Sequence, residues 1–248
     1  MQGDRRDPVE ITRPMLSWFL FMISRLETDG LEKTVLDCGA GGGTPPLAQF
    51  AERGYTCHGI DISEERLQMA AAYAEKNGFD MDLRVGDMRN LPYADETFAF
   101  VYELESMCHL TKKETWQTLE EMNRVLVPGG YLFAHFMTTD FWPLTGREQA
   151  PGEFVETEAG QTVVHSYFED DEVMGAFSHM RIVWKQKRYT QFPFRIEGIT
   201  DAQWQSWYTP GSTRFTEAEW QALYAERHRW CYAAWEVIAQ KRGSDSGN

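Results

Sequence analysis

The chain has 248 residues, of which 42% are hydrophobic and 25% are charged. This balance is typical of a globular protein, and the length allows one large domain with a substantial core. The 38 acidic residues outnumber the 24 basic residues, which gives a formal net charge of −14. Because binding to nucleic acids and to anionic membranes depends on clustered Lys and Arg, we expect neither partner.

The cysteines and the N-terminal segment indicate the compartment. The four cysteines form no CxxC pair and match no zinc spacing, so we expect a reducing, cytoplasmic setting and no metal site. One apolar run, residues 15–23, is too short to span a bilayer, and no small-residue cleavage site follows it. We interpret residues 1–33 as N-terminal helices that either pack on the core or form a lid, with Trp18 and Phe19 placed to close over a ligand.

From residue 34 to residue 136, short apolar strands alternate with helical patterns. Ser63 and Thr111 precede two of these helices, and both are favoured N-cap residues. The alternation predicts an α/β fold: a Rossmann-like, doubly wound, mostly parallel seven-stranded sheet with helices on both faces. The first five strands are predicted at Thr34–Cys38, Thr56–Asp61, Met81–Val85, 98–103 and 131–136.

Beyond residue 136 the pattern changes. Residues 137–165 are predicted as loop, followed by a helix near 169–179 and strands at Arg181–Gln191 and 232–239. We expect one domain over residues 1–248, with a cofactor-binding core at 34–136, a substrate-side insertion and the last strands at 137–231, and a disordered tail at 243–248. Aromatic residues are dense after residue 184, and five of them either line an acceptor pocket or build the core of the added segment: Trp204, Trp207, Tyr208, Trp230 and Tyr232.

A glycine-rich turn follows the first strand and opens a helix. It reads Asp-Cys-Gly-Ala-Gly-Gly-Gly over residues 37–43, and glycines there let the backbone approach a ligand closely. Asp61 ends the second strand and Asp87 follows the third, so all three segments fall where open α/β sheets bind ligands. Thr44 replaces the third glycine of a dinucleotide fingerprint, and GxxxxGK[ST] is absent, which disfavours dinucleotides and nucleoside triphosphates.

The Asp-x-Gly-x-Gly turn, the acidic end of the second strand and the string Gly86-Asp87-Met88 together resemble the class I S-adenosylmethionine-dependent methyltransferases over residues 35–136. The resemblance implies S-adenosylmethionine as cofactor and S-adenosylhomocysteine as product. An acidic cleft suits this cationic ligand. The cofactor-binding residues that it implies are Asp37, Gly39, Ala40, Gly41, Asp61, Ile62, Asp87, Met88 and Glu103.

The resemblance also implies a role for each part of this set. Asp37 and the backbone of residues 39–41 hold the methionine moiety, and Asp61 binds the ribose hydroxyls. Asp87 accepts a hydrogen bond from the adenine amino group. The apolar neighbours of the two aspartates pack against the adenine ring: Ile62 and Met88.

The loop after the fourth strand carries the ionisable candidates for chemistry. Its string Glu-x-x-Cys-His, residues 105–109, resembles the loop of sterol, tocopherol and some small-amine methyltransferases. By that resemblance Glu103 lies near the methionine end of the cofactor, while Glu105 and His109 face the acceptor and either remove its proton or stabilise its positive charge. The alternative is that Glu105 caps the next turn and His109 is a core histidine.

We therefore expect an enzyme that transfers a methyl group from S-adenosylmethionine to a small-molecule acceptor, at nitrogen, oxygen or carbon, by in-line displacement. Positioning and exclusion of water supply much of the rate of such a reaction. The large segment after the fifth strand favours an enclosed acceptor site. Three alternatives stay open: a protein or RNA methyltransferase, a non-catalytic S-adenosylmethionine-binding protein, and an enzyme that transfers another group or catalyses a rearrangement with the same cofactor.

Overall fold

The structure is a computed structural model that describes residues 16–144, 146–158, 161–191 and 231–243. The helices in these ranges are α1 (Leu16–Thr28), α2 (Ala48–Ala51), α3 (Glu64–Asn77), α4 (Lys112–Val125) and α5 (Asp170–Ala176), with a 3-10 turn at Met107–His109. The strands are β1 (Thr34–Cys38), β2 (Thr56–Asp61), β3 (Met81–Val85), β4 (Phe98–Tyr102), β5 (Leu126–Met137), β6 (Arg147–Ala150), β7 (Glu153–Glu158), β8 (Gln161–Ser166), β9 (Arg181–Gln191) and β10 (Cys231–Gln240).

Among the described strands, seven form one sheet in the order β3-β2-β1-β4-β5-β10-β9. The first five strands along the chain pair in parallel, whereas β10 runs antiparallel to both β5 and β9. The predicted mostly parallel, seven-stranded α/β sheet is confirmed. Because β1 to β4 are parallel, their carboxyl ends meet at one edge of the sheet, which we call the ligand edge.

Helices cover both faces of this sheet, as the alternating pattern predicts. α4 and α5 pack on one face through side chains such as Met122 and Val173, both fully buried. α1 and α2 pack on the other face, where the ring of Phe19 meets that of Phe50 at 4.8 Å. Phe19 is 4% exposed, so this residue of the expected lid belongs to the core.

The predicted N-caps of two helices are also confirmed. The Ser63 side chain accepts a hydrogen bond from the Arg66 main-chain N–H at the start of α3, and Gly78 ends that helix with φ +67°. At the start of α4, Thr111 and Glu114 form a reciprocal capping box. These caps fix the points at which the chain leaves the ligand edge and enters each helix.

The prediction of loop over residues 137–165 is wrong, because β6, β7 and β8 form a separate antiparallel sheet there. Its strands are rich in Glu, Gln and Thr, so cross-strand pairing holds them and no apolar periodicity reveals them. The sheet is tied to the start of α4, where Glu153 accepts from the Lys112 main-chain N–H at 2.7 Å, and to the loop after β4, where the Ser166 hydroxyl donates to the Leu110 carbonyl at 2.6 Å.

Other expectations fall partly outside the described residues. The predicted strands at Arg181–Gln191 and 232–239 are confirmed as β9 and β10, and the helix near 169–179 as α5. The structure does not describe residues 1–15, the tail from 244 onward, or four of the five highlighted aromatics: Trp204, Trp207, Tyr208 and Trp230. In the part of the chain that is described, every helix is too short or too polar to cross a bilayer.

Candidate active site

The glycine turn and the end of β2 are joined by direct hydrogen bonds. The main-chain N–H groups of Gly39 and Ala40 both donate to the Ile60 carbonyl at 2.8 Å. Asp61 accepts from the Gly41 N–H at 3.0 Å through one carboxylate oxygen and from the Ser63 N–H at 2.8 Å through the other. Each of these oxygens retains a second lone pair, so Asp61 holds the turn in place and still has acceptor capacity for a ligand.

The turn lies so close to its neighbours that side chains do not fit at two positions. A Cβ atom on Gly39 would lie 2.2 Å from the Ser106 hydroxyl oxygen, and φ at Gly39 is +121°. A Cβ atom on Gly41 would lie 2.4 Å from the Asp61 carboxylate. Only glycine permits this approach, and it brings exposed main-chain groups of the turn next to both β2 and the loop after β4.

Asp37 is buried at the end of β1, where it is 2% exposed and accepts a hydrogen bond of 2.6 Å from the Tyr102 hydroxyl. Burial raises the pKa of Asp37 to about 7, and the negative charges of Glu103 and Asp61 add to the rise, while the hydrogen bond from Tyr102 opposes it. A buried carboxyl with this pKa favours a cation beside it, because a positive charge stabilises its ionised form.

The ends of β2 and β3 present an apolar surface beside acidic groups. Ile62, directly after Asp61, is 74% exposed, so its aliphatic side chain is open to contact with a ligand. Met88 is half-buried and its terminal carbon lies 3.9 Å from the Cβ position of Gly39, so it borders the same turn. An exposed apolar side chain next to a carboxylate suits a ligand that has a flat ring attached to a sugar.

Asp87 is held by Arg89, which ion-pairs with it at 2.7 Å and also donates to it through Nε and the main-chain N–H. This hydrogen bonding lowers the pKa of Asp87. Arg89 also forms an ion pair with Glu114 of the α4 capping box. The resemblance implies an acceptor for an adenine amino group here, and the structure adds an arginine that orients the carboxylate.

Glu103 is completely buried and braces the loop after β4. One carboxylate oxygen accepts from the His135 N–H at 2.7 Å, and the other accepts from the Met107 N–H at 3.0 Å and the Ser106 N–H at 3.2 Å. Burial raises the pKa of Glu103 to about 7, against the effect of these hydrogen bonds. In this geometry Glu103 shapes the site through the backbone, and its predicted place near the methionine end stays a prediction.

Glu105 and His109 occupy different environments. Glu105 is half-buried, with its backbone in the left-handed region at φ +57°, a conformation that is costly for residues with a Cβ. His109 is exposed, and its ring meets that of His165 edge-on at 5.0 Å. His165 in turn lies 3.0 Å from a carboxylate oxygen of Glu156, so His109 borders the three-stranded sheet and is not a core histidine.

Several site residues were missed by the sequence analysis. Tyr102 faces Asp37 because these two residues are register partners in parallel strands. A tyrosine ending an apolar strand was the only available signal. His135 is 1% exposed and its Nε2 lies 2.7 Å from the Tyr232 hydroxyl oxygen. Sequence alone gives no signal for His135, because it lies within the apolar fifth strand and its partner Tyr232 is distant in the chain.

A Rossmann-like sheet with a glycine turn, two acidic strand ends and a buried carboxyl at one edge is typical of nucleoside-binding α/β proteins. Comparison with known proteins narrows this class. Residues 35–130 match the family model described as a methyltransferase domain. These residues contain the glycine turn, Asp61, Asp87 and the whole loop after β4. Over this segment the chain is therefore similar to a methyltransferase domain, as the resemblance to class I S-adenosylmethionine-dependent methyltransferases predicts.

Two curated relatives match the same part of the chain. Sterol methyltransferase-like 2 of Botryococcus braunii is 36% identical over 109 residues, which is 43% of this chain and 28% of that protein. Norajmaline N-methyltransferase of Rauvolfia serpentina is 36% identical over 99 residues, which is 39% of this chain and 33% of that protein. The matched segment thus spans about a third of the length of these relatives.

A solved structure supports the fold over more of the chain. The SAM-dependent methyltransferase of Methanosarcina mazei superposes with a TM-score of 0.61, covering 88% of this chain and 98% of the other, at 19% sequence identity. At this identity the likeness concerns the fold alone.

Proposed function

We propose that this protein transfers a methyl group from S-adenosylmethionine to a small-molecule acceptor by in-line displacement. The observation that carries the proposal is the meeting of the glycine turn, Asp61 and Asp87 at one edge of a methyltransferase domain. The two relatives described above are named for acceptors that are a sterol and norajmaline, which supports a small acceptor.

The residues at the ligand edge fit the cofactor. Gly39 and Gly41 carry no side chain, and a Cβ at either would clash with Ser106 or Asp61, so only main-chain atoms of these residues are offered to the methionine moiety. Asp37 supplies the buried negative charge that a sulfonium and an ammonium group favour. The exposed Ile62 side chain offers an apolar face beside Asp61 for the adenine and ribose.

When bound, the cofactor supplies a methyl group activated by attachment to a positively charged sulfur. Glu105 then accepts the proton of the acceptor or stabilises a positive charge that develops on it. Its position supports this role, since it lies in the loop that Glu103 braces against the glycine turn. His109, at the border of the three-stranded sheet, contacts the acceptor from the solvent side.

Calorimetry and methyl transfer together test the proposal. We expect the wild-type protein to bind S-adenosylhomocysteine, and Asp61→Ala to lose at least tenfold in affinity. Asp80→Ala, at an exposed aspartate before β3, is the matched control and should bind normally. Unchanged affinity in Asp61→Ala refutes the assignment of the ribose site.

The acceptor class is tested with cofactor that carries a labelled methyl group. Label should enter the small-molecule fraction of a cell extract and not its bulk RNA or protein. Label in RNA or in protein would refute a small-molecule acceptor and would indicate that macromolecule as the acceptor. Tight cofactor binding with no label transferred to any fraction would indicate a non-catalytic binding protein.

A further inference from the structure

Tyr232 of β10 connects the loop after β4 to the interior of the sheet. Its hydroxyl lies 3.4 Å from a carboxylate oxygen of Glu105 and 2.7 Å from Nε2 of His135. The rings of Tyr232 and His135 lie nearly parallel, at 25° and 6.0 Å between centroids. The three side chains thus form a continuous hydrogen-bonded row that ends at the proposed acceptor site.

His135 is fixed and uncharged. It is 1% exposed, and its main-chain N–H is held by Glu103. Burial lowers the pKa of His135 to about 3, and the nearby positive charge of Arg188 lowers it further. A neutral imidazole carries one proton, on either Nδ1 or Nε2, and its Nδ1 atom has no hydrogen-bond partner.

The nitrogen that carries this proton determines which group donates each hydrogen bond of the row. With the proton on Nε2, His135 donates to Tyr232 and the Tyr232 hydroxyl donates to Glu105, so that two hydrogen bonds form and only an acceptor is left unpaired. With the proton on Nδ1, one hydrogen bond forms, and a buried donor is left unpaired. Buried unpaired donors are rarer and costly, so the first arrangement is favoured.

The groups around the row form a buried charged cluster on β9, β10 and the loop after β4. The Arg188 guanidinium lies over the Tyr232 ring at 5.5 Å and pairs with Glu236 at 3.0 Å. Glu103 and the buried thiol of Cys108 also influence Tyr232 electrostatically. Within this cluster the Tyr232 hydroxyl is a donor to the Glu105 carboxylate, and we infer that this contact helps to aim it.

We propose that Tyr232, held by His135, is a positioning residue that points the Glu105 carboxylate at the acceptor and stabilises its charged form. The inference rests on the proposed function. Glu105 takes the proton that the acceptor gives up as the acceptor lone pair bonds to the methyl carbon and the carbon–sulfur bond breaks toward sulfur. The Glu105 carboxyl then returns the proton to water, and Tyr232 and His135 keep their own protons throughout.

The first test is kinetic and uses Tyr232→Phe with the extract fraction that the wild-type protein methylates. We expect kcat to fall about five- to tenfold, and the acidic limb of the pH–rate profile to move up by about half a pH unit. The affinity for S-adenosylhomocysteine should stay at the wild-type value. Tyr55→Phe, which removes a buried hydroxyl that has no hydrogen-bond partner, is the matched control.

His135 variants separate positioning from packing. His135→Gln keeps an N–H donor near the Nε2 position and should retain more activity than His135→Leu, whose pH profile should match that of Tyr232→Phe. Equal losses in the two His135 variants would indicate a packing role and overturn the inference.

The second test needs no turnover. The Glu105 carboxyl is followed by carbon-13 NMR, assigned with Glu105→Gln, and we expect its titration midpoint to lie at higher pH in Tyr232→Phe than in the wild type. An unmoved midpoint refutes the role of Tyr232 even if the enzyme is active. A moved midpoint in a protein that methylates nothing would refute the proposed function and leave the positioning supported.

Discussion

The Tyr102 hydroxyl donates a hydrogen bond of 2.6 Å to Asp37, and this contact joins the buried end of β4 to the strand that leads into the glycine turn. The two residues are register partners in the parallel strands β1 and β4. The donor therefore controls how readily the Asp37 carboxyl ionises next to a cationic ligand.

Replacing Tyr102 with phenylalanine should weaken cofactor binding in a pH-dependent manner. Without the donor, burial raises the pKa of Asp37 above its present value of about 7, so less carboxylate is present at neutral pH. We expect affinity for S-adenosylmethionine to fall about tenfold at pH 7 and to recover substantially by pH 9. Calorimetry at both pH values measures this, with Tyr93→Phe as a control that removes an unpartnered buried hydroxyl. A loss of the same size at both pH values would contradict the explanation.

Gly41→Ala should weaken cofactor binding through a steric clash. The backbone itself should not be strained, because φ at Gly41 lies outside the left-handed region. The added carbon would lie 2.4 Å from the Asp61 carboxylate, so Asp61 or the turn must move. We expect affinity for S-adenosylhomocysteine to fall more than tenfold. Gly175→Ala, at an open position, is the control and should bind normally. Normal binding by Gly41→Ala would show that the turn does not contact the ligand closely.

Folding stability of the ligand-free protein should fall as the pH rises toward and through 7. The pKa values of Asp37 and Glu103 are raised to about 7, so the folded protein holds two protons that the unfolded chain releases near pH 4. Their contribution is full below about pH 4 and is lost as the pH rises through 7. Asp37→Asn should remove part of this slope in the free energy of unfolding, measured by urea denaturation from pH 5 to 8. Asp80→Asn should keep the wild-type slope, and an unchanged slope in Asp37→Asn would refute the buried-carboxyl explanation.

Glu105→Gln tests the proposed chemistry. The amide cannot take a proton, so we expect turnover to fall about a hundredfold, while S-adenosylhomocysteine binds as in the wild type. Steady-state kinetics and calorimetry on the same preparation measure both. Wild-type turnover in this variant would remove Glu105 from the mechanism.

The backbone of Glu105 allows a separate test of strain. Glu105 and Glu96 both adopt left-handed φ values, of +57° and +55°. Glycine at either position should stabilise the protein by about 1 kcal/mol, since it accepts this conformation without a Cβ penalty. Thermal unfolding measures the gain. Only Glu105→Gly should lose turnover, and a destabilised Glu105→Gly would show that side-chain contacts outweigh the strain.

Much of the fold was predictable because the strands of a parallel sheet are buried, short and separated by clear helix caps. The limits of β1, β2 and β3 match the prediction, and Ser63 caps the start of α3 as expected. The three-stranded sheet was not predictable from apolar periodicity, because three of the six residues of β7 are glutamates without a regular alternation and the strand depends on its partners.

The positions of the candidate site residues were predictable where a short motif follows a particular strand. Asp37, Asp61 and Asp87 all lie near the ligand edge, as local sequence indicates. The contacts that tune them come from elsewhere: Tyr102 is 65 positions from Asp37, and Tyr232 is 97 positions from His135. The pattern of a single sequence does not indicate which distant residues pair in this way.

Glu114 serves two structures at once, since it closes the capping box of α4 with Thr111 and ion-pairs with the arginine that grips Asp87. The beginning of a structural helix and the orientation of the carboxylate proposed to receive the adenine amino group thus depend on one side chain. We therefore expect a change at Thr111 to alter selectivity among nucleoside analogues, because it would release Glu114 and, through it, Arg89.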